Sequence, residues 1–212
     1  MTGSAVAEAI SCTTSCAPAP ATARKFAEVG LGARSSRGPE RDVSVSRRVK
    51  LGPEGVNLVA KLRHVVDTNG WLSADFHVHA APSPDSIVPL SHRILELVAD
   101  GIDMIVSTDH NAVTDYAPTI RQLGLGDLIT SARGDELTTN GWGHYGAFPL
   151  PQDTARAGQG AILVHGHNAK EIFANVRAHA PETVIDVHHP RIDPGVGYFI
   201  VGESLGRTRA WR

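Results

Sequence analysis

Cysteine is nearly missing from this chain: Cys12 and Cys16 are the only two in 212 residues. With no second pair and no adjacent histidine, they outline neither a disulfide framework nor a thiolate zinc clip. Long apolar runs are missing too, and nothing approaches the roughly 20 residues that a membrane-spanning helix needs. Met1 to Ser11 has no basic start, and Glu8 interrupts any apolar stretch there. A secretory signal is therefore not expected, and a cytoplasmic location is favoured. Strong net charge is also absent: 20 basic residues face 22 acidic ones, for a formal −2, so neither a membrane nor a nucleic-acid partner is implied. The one basic stretch, Arg24 to Arg63, has ten Lys or Arg against four acids. It has almost no aromatic residues on which bases could stack, and reads as a solvated segment. What remains is ordinary globular usage, 42% hydrophobic and 20% charged.

Composition changes along the chain. Residues 1–40 are rich in Ala, Ser, Thr, Gly and Pro and carry too little apolar surface to offset ordering entropy, which predicts a disordered tail. Residues 41–69 begin with an alternating pattern: Val43 and Val45, then Val56, Leu58, Ala60 and Leu62 after Gly52-Pro-Glu-Gly55. That is the signature of a β-hairpin with a Pro-Gly turn, followed by a linker. From Gly70 strand and helix patterns alternate. Asp75–His79 and Ile102–Ser107 read as strands. Between them Leu90, Ile94, Leu97 and Val98 form the stripe of a helix opened by Pro89 and stopped by Gly101. Tyr116, Ile120 and Leu123 repeat the helical spacing. Asn168 and Glu171 are placed as a capping box for a helix over Ala169–His179, with a strand at Val184–His188. Strand-helix-strand order with short links predicts a parallel α/β barrel, whose functional residues gather at the C-terminal ends of the strands.

Histidines and carboxylates fall at those ends. His77 and His79 are two apart on a strand, so their rings point the same way and can serve one cation. Asp85 follows. His110 sits in Ser107-Thr-Asp-His-Asn111, Glu136 in Gly134-Asp-Glu136, His144 opens another strand, and His189 lies in Val187-His-His-Pro190. Neutral imidazoles with hard carboxylates suit zinc, manganese or iron, and leave positions for water. Such cations lower the pKa of water toward about 7 and polarise the carbonyl or phosphoryl group under attack, so no Ser-His-Asp or Cys-His arrangement is needed.

The stretch from Gly70 to Ser86, with Thr108-Asp-His-Asn111 and His188-His-Pro-Arg191, resembles the PHP (polymerase and histidinol phosphatase) superfamily of metal-dependent hydrolases, and most of all its CehA/McbA-like branch of carbamate and aryl-ester hydrolases. The likeness runs from Gly70 to about Phe199. It implies a distorted seven-stranded α/β barrel over residues 70–199, incomplete here because about six strands are visible. The hairpin before it would be the remnant of a β-sandwich. By the same resemblance His77 and His79 bind one metal, Glu136 bridges to a second held by His144 and His189, and Asp85 with His110 begins a third site. The implied reaction is hydrolysis of a small-molecule ester, carbamate or phosphoester by metal-activated water. A phosphoesterase or exonuclease like the polymerase-associated members is the alternative enzyme, although 70–199 shows no basic channel and nucleic acid is not favoured.

Other residues receive lesser roles. Asp109 is expected to orient a neighbouring imidazole from behind the ligands, and Arg191 to meet an anionic substrate group or a surface acid. On strand alternation His188 faces away from His189 and packs behind it. His165 and His167 repeat the His-x-His spacing, but Gly166 and the cap Asn168 place them in a loop away from metal. His64, His92 and His179 read as surface residues, and Trp142 as ordinary packing. One departure from the family stands out: after His189 no Asp-x-His motif follows. Asp193 and Glu203 are out of pattern, and 200–212 reads as a polar tail. A truncated, weakly metal-binding remnant without catalysis is the competing expectation.

Overall fold

The computed structural model describes residues 10–12, 31–49, 58–192 and 197–199, in two compact units. In the first, β1 (Ile10–Cys12) pairs antiparallel with β4 (Leu58–Ala60), and β2 (Leu31–Ser35) with β3 (Ser44–Val49). The alternating segments at 43–49 and 58–62 are thus strands, but each pairs with an earlier piece of chain rather than with the other. Among the described residues their outer ends meet at the antiparallel bridge between Arg41 and His64, where the Asp42 carboxylate accepts from Arg63 N–H at 2.7 Å and Nε–H at 2.8 Å. The Pro-Gly turn lies outside the described residues. Leu31–Ser35 corrects the expectation of a disordered tail to residue 40. Its ladder is satisfied by β3, and backbone pairing orders a strand whose side chains alone would not.

The second unit opens as the sequence predicts. Strands β5 (Ala74–Val78), β6 (Met104–Ser107) and β7 (Thr130–Arg133) form a parallel sheet in that order, with α1 (Leu90–Ala99) and α2 (Ala117–Gln122) as the crossovers. Helix α1 ends where Gly101 adopts φ +79° and Ile102 N–H reaches back to Leu97 O at 3.0 Å, the closure that a left-handed glycine permits. Ile94, Leu97, Ile105, Tyr116, Ile120 and Ile129 make the core between these helices and the sheet.

Beyond Arg133 the parallel barrel expectation fails. Strands β8 (Asp135–Thr138), β9 (His144–Phe148) and β10 (Val184–His188) form an antiparallel sheet in the order β10-β9-β8, and no closed barrel exists among the described residues. Between β8 and β9 the reason is connection length: a parallel return needs a crossover of a dozen or more residues, and the Thr139–Gly143 link is far shorter, whereas β10 returns antiparallel to β9 after a long connection that includes the helix at Ala169–His179. The fold is mixed α/β. Helix α3 (Ala169–His179) carries both halves of the predicted capping box and buries Ile172 and Val176 against Leu137, Tyr145 and Ala147. No helix is long and apolar enough to cross a membrane, among the described residues.

Gly134 joins the two sheets. A Cβ there would lie 2.8 Å from Val106 Cγ1 and 2.9 Å from Ala147 O, so only glycine lets β7 run into β8 at this approach. Beyond β6 the chain pairs with β8 through a parallel bridge between His110 and Glu136. Asn111 N–H donates to Glu136 O at 3.1 Å. That bridge carries the ends of the first sheet to the centre of the second.

Candidate metal centre

Glu136 is fully buried, and six imidazoles surround its carboxylate. Within reach of Oε1 are His188 Nδ1 and His189 Nε2 at 3.0 Å, His144 Nδ1 at 3.2 Å and His77 Nε2 at 3.3 Å. Oε2 has His110 Nδ1 at 2.9 Å and His79 Nε2 at 3.3 Å. Asp85 closes the open side, 3.3 Å from His110 Nε2 and 3.8 Å from His79 Nδ1. All seven residues that the sequence nominates as ligands are therefore brought together. Three sets of donors lie mutually close enough to share an ion: His77, His79 and Glu136; His79, Asp85 and His110; His110, Glu136 and His144.

Each ring has a local reason for its place. His77 and His79 project from the end of β5, where Val78 N–H donates to Thr108 Oγ1 at 2.8 Å and Thr108 N–H to Val78 O at 3.0 Å. His110 is set by the bridge to β8 and by a hydrogen bond between its Nδ1 and the Thr138 hydroxyl. Sequence reasoning missed Ser83, a buried hub at this end of the cluster. Its hydroxyl donates to Asp85 Oδ1 at 2.7 Å, accepts His110 N–H at 3.1 Å and lies 3.1 Å from His79 Nδ1. The only signal for it is its place between Pro82 and Pro84, in a turn that both prolines stiffen.

Asp109 departs from its expected role. Buried, it accepts Ala80 N–H at 2.9 Å and the Tyr116 hydroxyl at 3.2 Å, so it fixes the backbone that follows His79 instead of an imidazole. His188 departs as well. Its ring is buried and stacks on His77 with centroids 3.7 Å apart. His188, the last residue of β10, faces Glu136 by strand alternation, and His189, just past the strand end at φ +28°, is turned onto the same carboxylate. Arg191 stacks over Phe199, 5.3 Å from its centroid, and does not line the cavity at the cluster. His165 and His167 sit in a turn, with His167 Nδ1 3.0 Å from His165 O. His92 and His179 are exposed on helices, His64 pairs with Glu40, and Trp142 packs on the core. Asp193 and residues 200–212 lie outside the described residues.

Electrostatics follow from the crowding. Burial raises the Glu136 carboxyl, but the rings of His110, His144, His188 and His77 outweigh it and hold the group far below the usual carboxylate range. Burial keeps His79 and His189 below the ordinary imidazole value, whereas His110 is raised by Glu136 beside it. Desolvation lifts Asp135, packed behind Glu136, to about 7.

These residues fit a divalent cation. In each of the three donor sets the ligating atoms lie within 4.8 Å of one another, and the buried Glu136 carboxylate shared by two of them would give a cation the opposite charge that burial requires. Nitrogen and carboxylate donors without a thiolate suit zinc, manganese or iron.

Among the described residues, cavities open onto the cluster from two sides. One, about 430 Å³, is floored by the ligands themselves. The other, about 740 Å³, lies beside His110, Asp85 and His144 and is walled by Asn111, Thr138, Thr139 and Asn140. Among the described residues no Lys or Arg lines either. No family model, curated protein or solved structure matches this chain.

Proposed function

We propose that this chain is a metal-dependent hydrolase of the PHP type, similar to the CehA/McbA branch, acting on a small-molecule ester, carbamate or phosphoester. The observation that carries the reading is the buried carboxylate of Glu136 ringed by six imidazoles, with Asp85 beside them. His77, His79, Asp85, His110, Glu136, His144 and His189 would hold zinc, manganese or iron, up to three ions in a complete family site. Bound there, the cations acidify water and polarise the substrate's carbonyl or phosphoryl oxygen.

The remaining work falls to the chain. Ser83 holds Asp85 and His110 in one geometry through two hydrogen bonds. Asp109 anchors the peptide after His79. The amides and hydroxyls of Asn111, Thr138, Thr139 and Asn140 wall a recess of small-molecule size next to the cluster. Because no Lys or Arg lines either cavity among the described residues, a neutral ester or carbamate suits the recess better than a polyanion.

The test is hydrolysis of a nitrophenyl ester and a nitrophenyl phosphate by the purified chain, stripped of metal and then reloaded. Hydrolysis that appears with metal, vanishes with chelator and favours the ester is expected. Metal uptake without turnover of either compound contradicts the enzymatic reading and leaves the remnant.

A further inference from the structure

We propose that His188 is itself a ligand of the metal centre through Nδ1, that Asp186 is the carboxylate positioning it, and that Gly146 is kept bare to seat the pair. This rests on the metallohydrolase reading and adds residues that the sequence placed outside the ligand set.

Asp186 and His188 are two apart on β10 and share a face. In the antiparallel register Asp186 lies opposite Gly146, and His188 opposite His144. A Cβ on Gly146 would fall 2.4 Å from His188 Nε2 and closer still to Asp186 Oδ1. Both side chains therefore occupy the space that residue 146 gives up, in the middle of a sheet where glycine otherwise weakens a strand.

The ring they seat has two different ends. Nδ1 points at the cluster, 3.0 Å from Glu136 Oε1. Nε2 points away from it, 3.5 Å from Asp186 Oδ1. Both Nε2 and that oxygen are buried and have no hydrogen-bond partner among the described residues, although the Asp186 side chain as a whole is 42% exposed.

A neutral imidazole has one proton to place. With Nδ1–H donating to Glu136, a neutral ring presents an Nε2 lone pair to Asp186, and only an imidazolium or a cation at Nδ1 turns an N–H toward that carboxylate. A cation at Nδ1 moves the ring's proton to Nε2 and gives Asp186 an N–H to accept. Metal-bound histidines commonly donate their second nitrogen to a carboxylate in this way, which fixes both tautomer and ring direction. The stacking of His188 on His77 restrains the ring in the same plane.

The experiment uses the full chain loaded with Co(II), whose visible absorption reports its ligands, and chelator competition for affinity. Asp186→Asn is expected to weaken Co(II) about 10–100-fold and shift the absorption bands, while its melting in chelator stays at the wild-type value. His188→Ala is expected to weaken binding further and change the band intensities. If His188→Ala does not fold, Asp186→Asn, on a partly exposed side chain, carries the test alone. Wild-type affinity and spectrum in the variants overturn this proposal and leave the metallohydrolase reading standing. A wild-type chain that takes up no Co(II) overturns both.

Discussion

Replacing Glu136 by Gln keeps the volume of a fully buried side chain and removes the one charge that six imidazoles share. Four-donor zinc sites are held by about 10–16 kcal/mol, or about 3 kcal/mol per donor. Loss of one donor therefore weakens binding about 100-fold, at about 1.4 kcal/mol per decade. Glu136 belongs to two of the three donor sets, so the loss is not confined to one ion. At metal about 1,000-fold above the wild-type Kd, binding stabilises the fold by about 4.1 kcal/mol, and a site about 100-fold weaker retains about 1.4 kcal/mol. The missing 2.7 kcal/mol, roughly, corresponds to a metal-bound Tm about 5–11 °C below wild type for a domain of this size. Calorimetry with zinc and with chelator separates this from intrinsic destabilisation, because only the zinc-dependent gain in Tm should shrink. A Glu136→Gln protein that gains as much from zinc as the wild type refutes the reasoning.

Three further outcomes follow. His165→Ala combined with His167→Ala should leave metal content unchanged by elemental analysis, since neither belongs to a donor set among the described residues; loss of metal would place them in the site. Asp109→Ala orphans the Ala80 N–H and Tyr116 hydroxyl and should cost at least about 1–3 kcal/mol in urea unfolding with chelator present, and an unchanged midpoint would show that the tether is idle. Cation binding requires neutral rings, so protons compete with metal. Affinity should fall as pH drops through the imidazole range, His110, raised by Glu136, taking its proton before His79 and His189, which burial lowers. Chelator competition that gives one Kd across that range would argue against histidine ligation.

Much of the second unit was legible because its signals are local. Asn168 and Glu171 specify a helix start by their own hydrogen bonds, and Pro89 with Gly101 brackets α1 in the same way. The seven candidate ligands were legible from residue chemistry and from the motifs of a family resemblance, with strand alternation pairing His77 and His79. What escaped depends on contacts distant in sequence. The antiparallel order of β8, β9 and β10 is decided by the length of the Thr139–Gly143 link and by pairing with β10, some forty residues later. His188 was placed behind His189 on the assumption that alternation runs through both, whereas the strand ends at His188 and the left-handed backbone at His189 brings the second ring to the same side. Asp109 was given an imidazole because metal sites usually supply one, whereas here it meets a backbone amide. Leu31–Ser35 has no apolar pattern to announce it, and it is ordered by its ladder with β3.

Counting metal on the native chain by mass spectrometry, after chelator stripping and reloading with Zn(II), Mn(II) or Fe(II), tests the central claim most directly. The account predicts at least one tightly held ion per wild-type chain, and its loss in His77→Ala and in Glu136→Ala. A wild-type chain that holds no ion, or variants that hold as many as wild type, would contradict it.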